Sequence, residues 1–188
     1  MSRRTTIQLA PKTISDAASS AKEILEIAQA KLGFVPNLYA NLANSPGALA
    51  TYFSGYNQFR AQSGFTPAEQ EVVFLTISIE NDCDYCVAAH SMMADKVSGV
   101  PMQALKAIRE GDIIQDARLA ALSTFTRRLL QSRGRPVEAE VKEFLKAGFK
   151  EEQILEVVLA IAVKTISNYA NHLFNTKIDS AFESYSLN

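Results

Sequence analysis

Thr66-Pro67-Ala68-Glu69-Gln70-Glu71-Val72-Val73-Phe74-Leu75-Thr76-Ile77-Ser78-Ile79-Glu80, followed at once by Asn81-Asp82-Cys83-Asp84-Tyr85-Cys86-Val87-Ala88-Ala89-His90, is the stretch that decides the fold class. Threonine, then proline, then glutamate three positions after the threonine is a capping box with proline at the first helical position. The helix it opens, from about Pro67 to Glu80, is apolar nearly all round: Val72, Val73, Phe74, Leu75, Ile77 and Ile79 leave no polar face. Such a helix belongs at the centre of a bundle or at a subunit interface. Asn81 and Asp82 offer a new N-cap, and a second helix is expected from Cys83 to about Ser98, stopped by Gly99 and Pro101.

The same punctuation continues on both sides. Ser20–Leu32 carries Ile24, Leu25, Ala28 and Leu32 on one stripe, with Gly33 as its stop. Pro36-Asn37 opens a short turn of helix. Ser45-Pro46 starts a helix that carries Leu49, Tyr52, Phe53, Tyr56 and Phe59 and ends at Gly64. Further helices fit Met102–Glu110, Asp116–Arg133 and Val137–Ala147, each followed by a glycine, and a long one fits Glu151 to Phe174. Strand alternation is nearly absent, so the expected fold is an all-α, multi-helix bundle. It reads as one domain over 1–188, loose at 1–14, with its core motif in 66–98. Gly64-Phe65 with Glu71-Val72-Val73-Phe74-Leu75 is echoed by Gly148-Phe149 with Glu156-Val157-Val158-Leu159-Ala160. The echo is either a duplicated helical unit or two buried helices built alike by packing.

Composition narrows the partners. The 188 residues hold 19 basic and 20 acidic side chains, a net charge of −1, with no basic block for nucleic acid or an anionic membrane. The Met1–Thr6 segment has basic residues but no apolar core behind them, unlike a signal peptide. The apolar run Ile154–Val163 is broken by Glu156 and ends at Lys164, short of a membrane span. A cytoplasmic protein is the expectation.

Only two cysteines are present, three positions apart. In a reducing compartment a lone pair at that spacing points to chemistry rather than to a structural framework. On a helix, Cys83, Cys86 and His90 share a face, with His90 one turn beyond Cys86. A helix N-terminus favours the thiolate, and a histidine one turn on can accept or return its proton. The dipole argument makes Cys83 the attacking sulfur; the histidine argument makes it Cys86, and the balance leans to Cys86. Two other readings compete: small buried hydrophobes, and zinc ligands, although neither a second CxxC nor a nearby histidine completes a metal site. His172 reads as surface or packing. The Tyr52, Phe53, Tyr56, Phe59 stripe reads as core rather than as a binding site.

Glu71, eleven residues, then Cys83-x-x-Cys86-x-x-x-His90 resembles the core signature of the alkylhydroperoxidase D / carboxymuconolactone decarboxylase superfamily. Leu32-Gly33-Phe34-Val35-Pro36-Asn37 and the Glu156–His172 helix resemble its peroxidase-related branch, so the likeness runs from about Lys31 to Phe174. The resemblance implies an all-α fold that forms homo-oligomers, trimers or hexamers among them. It implies a redox-active dithiol that reduces hydroperoxides without cofactor or metal and is restored by an external dithiol. In that scheme Glu71 and His90 relay a proton to Cys86, and Cys83 closes the disulfide and meets the reductant. The family's well-studied peroxidase carries a second histidine where this chain has Tyr85, and decarboxylase members lack the cysteine pair. A low-turnover redox sensor or assembly module on the same fold is the alternative.

Overall fold

The computed structural model describes residues 6–187. Part of the expected loose segment, residues 1–5, and with it most of the Met1–Thr6 reading, lies outside the described residues. Residues 6–13 form no helix or strand; they are tied down where the Ile7 N–H donates to Leu173 O (2.9 Å) and the Lys12 N–H to Ala40 O (2.9 Å).

The described residues are all-α, without a strand: α1 (Ser19–Leu32), α2 (Asn37–Leu42), α3 (Pro46–Gln62), α4 (Pro67–Glu80), α5 (Asp84–Lys96), α6 (Met102–Glu110), α7 (Ala117–Gln131), α8 (Glu138–Lys146), α9 (Glu151–Phe174) and a terminal 3₁₀ turn, Glu183–Tyr185. The capping box at α4 is complete. The Glu69 N–H donates to Thr66 Oγ1 (3.3 Å), and Glu69 Oε2 accepts from the Thr66 N–H (2.8 Å). Glu69 Oε1 also takes Arg118 Nε at 2.6 Å, which fastens the start of α4 to α7.

α4 is the central helix, with every residue from Glu69 to Ser78 buried, and it packs against α5, α6, α7 and α9. Two apolar clusters share the partly buried Tyr56 of α3 and Leu159 of α9. One is built on Phe59, Phe74, Phe125, Phe144 and Phe149. The other gathers Leu25, Leu38, Leu49 and Tyr52 around Cys83 and Cys86. The two echoing segments open the paired helices α4 and α9, and their rings Phe65 and Phe149 lie 5.8 Å apart. α3 crosses α9 closely: a Cβ on Gly55 would stand 2.8 Å from Val163 Cγ2, so glycine permits the approach.

Two expectations need correction. α5 starts at Asp84 rather than Cys83, and Asp82 is not its cap. Asp82 sits in the left-handed region (φ 52°), because the chain reverses from α4 to α5 within Asn81-Asp82. An N-cap needs extended backbone, and the residue left in that place is Cys83 (φ −101°, ψ 88°). Second, α9 has 24 residues and an 18-residue window of mean hydropathy 1.2, so length and composition alone would let it cross a membrane. In the fold it packs against α2, α3 and α4.

Candidate active site

The turn between α4 and α5 puts Cys83 at the mouth of α5 and Cys86 on its first turn. Both are free thiols with almost no exposed surface, 1% and 2%. Glu71 reaches the same region from α4 and is wholly buried. Its Oε2 lies 2.8 Å from His90 Nδ1, and its Oε1 takes Arg60 of α3. Burial pushes the Glu71 carboxyl up, but His90 and Arg60 outweigh it and hold it below the usual carboxylate range. An ionised carboxylate only accepts, so the proton of the Glu71–His90 bond sits on Nδ1 and Nε2 is left free as a base. Burial, together with a nearby ammonium, holds His90 below its ordinary value, so near neutral pH the ring is uncharged.

That ammonium is Lys164. It is 1% exposed on α9, and its Nζ has no hydrogen-bond partner among the described residues. It lies within electrostatic reach of both cysteines and of His90, and 5.7 Å from the centre of the Phe74 ring. A buried unpaired charge costs several kcal/mol unless something nearby answers it. The answering group is the Cys86 sulfur. Burial raises its pKa, yet the Cys83 thiol and the Lys164 ammonium, with His90 behind them, bring it well below the ordinary thiol value. Since His90 is neutral, Lys164 is the cation that matters. Cys83 moves the other way, raised by its hydrogen bond to Cys86 and by burial.

α9 supplies more than the lysine. Lys164, Ser167, Asn168 and Asn171 recur at three- and four-residue spacing, the period of one helix face, and all are buried. Asn171 Nδ2 points at both sulfurs, 3.3 Å from Cys86 and 3.7 Å from Cys83. Ser167 Oγ lies 3.9 Å from Cys86 Sγ. Asn168 Oδ1 accepts from Asn81 Nδ2 (2.9 Å) and so holds the α4–α5 turn. Sequence reasoning brought Glu71, Cys83, Cys86 and His90 together, as the fold does, but missed Lys164, Ser167 and Asn171. The signal was there: a polar stripe at helical spacing inside the most apolar helix. Arg60 carried no such mark.

Two cavities approach the pair. One, of about 420 Å³, is lined by aromatic and methionine side chains and by His90. The other, of about 320 Å³, is lined by Cys83, Asp82, Asn171 and His172 and is the more polar. Among the described residues, no three His, Cys, Asp or Glu side chains are grouped to hold a metal ion.

Residues 46–127, which span α3 to α7 and hold Glu71, both cysteines and His90, match the profile of the Carboxymuconolactone decarboxylase family. The chain also superposes on an uncharacterized peroxidase-related protein from Ralstonia eutropha JMP134, described as an alkylhydroperoxidase AhpD core: TM-score 0.81, 21% identity, 93% of each chain covered. This chain has the alkylhydroperoxidase D-like fold, with the Carboxymuconolactone decarboxylase profile over α3 to α7. The same fold is seen in an uncharacterized peroxidase-related protein from Silicibacter sp. TM1040 (TM-score 0.78, 20% identity, 96% and 95% covered). It is seen again in the debrominase Bmp8 in complex with 2,3,4-tribromopyrrole (TM-score 0.77, 16% identity, 97% of each chain covered). Comparison with curated proteins gives no match.

Within this fold, Tyr85 has a task of its own. Its hydroxyl donates to Asp179 (2.5 Å) and accepts from the Leu38 N–H (3.4 Å), and so ties the C-terminal segment and α2 to the head of α5. Burial and the Asp179 carboxylate push its phenol up, so it stays protonated. His172, exposed near the end of α9, has Nε2 3.2 Å from Asp82 O and no contact with the sulfurs.

Proposed function

We propose that the protein is a thiol peroxidase working through Cys83 and Cys86. The observation that carries the reading is two free, buried thiols at the mouth of α5, with the Asn171 amide on both sulfurs, the Lys164 ammonium in reach and the Glu71–His90 pair beside them. The Cys86 thiolate attacks the terminal oxygen of a hydroperoxide. The O–O bond breaks, Cys86 becomes a sulfenic acid, and the departing alkoxide leaves as the alcohol with a proton drawn from solvent through His90 Nε2. Glu71 keeps the ring oriented and stabilises it while it is charged. The Cys83 sulfur then displaces water from the sulfenic acid and the disulfide closes.

The unequal pair also gives the return step a direction. In exchange, the thiol of lower pKa is the better leaving group. An external dithiol therefore attacks Cys83, which lines the polar cavity, and expels Cys86 as its thiolate. A second thiol of the reductant then releases Cys83.

Sustained consumption of cumene hydroperoxide with excess dithiothreitol tests the proposal. Wild type is expected to turn over many times and Cys86→Ser not at all; Cys83→Ser, given the peroxide without dithiothreitol, is expected to stop at a sulfenic acid that dimedone traps. Equal rates in wild type and Cys86→Ser would refute it. One stoichiometric oxidation of wild type with no cycling would favour the redox-sensor alternative.

A further inference from the structure

The apolar cavity beside His90 has no part in the thiol chemistry, yet its form selects among oxidants. We infer that it binds the organic part of the substrate and that the preferred substrate is an uncharged hydroperoxide carrying an aromatic group. This rests on the peroxidase reading and adds the substrate class to it.

The walls come from α1, the start of α2 with the link before it, α3, α5 and the C-terminal segment. α3 gives Tyr52, Phe53 and Tyr56; α5 gives Ala89, His90 and two methionines; the C-terminal segment gives Phe182. Phe53, Tyr56, Met92 and Met93 stay only half-buried although they are large and apolar, so the fold leaves apolar surface uncovered inside a concavity. At about 420 Å³ the cavity is of the size that ligand sites have. Hydrogen peroxide, about the size of water at ~30 Å³, would touch few of its walls. A phenyl-sized group would meet edges and faces set for it: Tyr39 stands edge-on to Tyr52 (5.7 Å), and Tyr52 stacks on Tyr56 (6.0 Å). The two methionines add polarisable side chains that adapt to an irregular guest.

Charge excludes the other classes. Among the described residues no carboxylate lines the cavity, and burial pushes Tyr39, Tyr52 and Tyr56 up, so the phenols stay neutral. The one ammonium, Lys31, is exposed at the rim. Orientation follows from α5. Ala89 and His90 lie three and four residues beyond Cys86, on the adjacent turn of the helix, so a ring seated against them places its peroxide group toward the sulfur.

The test reads binding apart from turnover. The sequence has four methionines, of which Met92 and Met93 line the cavity and Met102 lies elsewhere, 60% exposed. With ¹³C-methyl methionine, titration with 2-phenylpropan-2-ol, the unreactive product of cumene hydroperoxide, should shift the Met92 and Met93 signals and leave Met102 in place. Ala89→Phe, which fills the cavity, should lower the ratio of kcat/KM for cumene hydroperoxide to that for hydrogen peroxide at least tenfold. Turnover with unmoved Met92 and Met93 signals, or an unchanged ratio, overturns the inference and leaves the peroxidase proposal standing. Shifts at Met92 and Met93 in a protein without turnover uphold the cavity as an aromatic site and refute the peroxidase proposal instead.

Discussion

At the scale of the residue, the centre is one asymmetry: two thiols in contact, one drawn toward its anion and the other held as the acid. Lys164 maintains it, and replacing that side chain separates reactivity from stability. Lys164→Gln should slow iodoacetamide alkylation of Cys86 about tenfold at a pH below the thiol's midpoint, where raising its pKa by one lowers the thiolate fraction tenfold. Lys164→Arg should restore part of the rate. Lys164→Met removes a buried unpaired charge at similar volume and should raise unfolding stability by roughly 1–4 kcal/mol, while slowing the same alkylation. A methionine variant as reactive as wild type would show that the ammonium does not act on the sulfur. The motif residues of this centre were legible because Cys83, Cys86 and His90 lie on two turns of one helix, and local spacing reports their geometry directly. Lys164 and Asn171 were not legible as partners, since about eighty residues separate them from the cysteines and only packing closes that distance.

At the scale of the element, the site hangs on how α4 begins and ends. The Thr66–Glu69 box fixes the start of the helix that carries Glu71. Thr66→Ala should cost about 1 kcal/mol, which in a chain of this size is about 2–4 °C of melting temperature, and should leave Cys86 alkylation unchanged. Urea or thermal melts check the first part and alkylation rates the second. The ends of most helices could be read from sequence, because proline at the first turn and glycine after the last act on the backbone alone. The start of α5 could not. Asp82 resembles a cap by residue type, but the reversal between α4 and α5 places it in the left-handed region, and that geometry belongs to two packed helices rather than to either one. The Tyr52, Phe53, Tyr56, Phe59 stripe shows the same limit. Phe59 enters the core as expected, whereas the other three line a cavity that α1, α2, α5 and the C-terminal segment close.

At the scale of the whole molecule, the buried ionisable groups set the response to acid. His90 has a depressed pKa in the fold, so below its ordinary value of 6.5 the unfolded chain binds the proton first and stability falls as pH falls. Glu71, also depressed, contributes stability that is present above 4.5 and is lost as the pH drops through its folded value. The two effects have one sign. Melting temperature should therefore decline from pH 7 toward pH 4, and His90→Gln should flatten the upper part of that decline. A wild-type profile with no fall below pH 6.5 would contradict the buried neutral imidazole. The sequence by itself determined the all-α class, most helix limits and the Cys83, Cys86, His90 stripe, because capping chemistry and helical period act over a turn or two of chain; Glu71, on another helix, joined them only through the family resemblance. Only the tertiary structure decided that α9 faces the thiols with Lys164 and Asn171, that Arg60 closes the far side of Glu71, and that an aromatic cavity opens beside His90. Those are meetings of distant segments, and the free energy that selects them comes from burying surfaces against one another, which no local stretch of residues encodes.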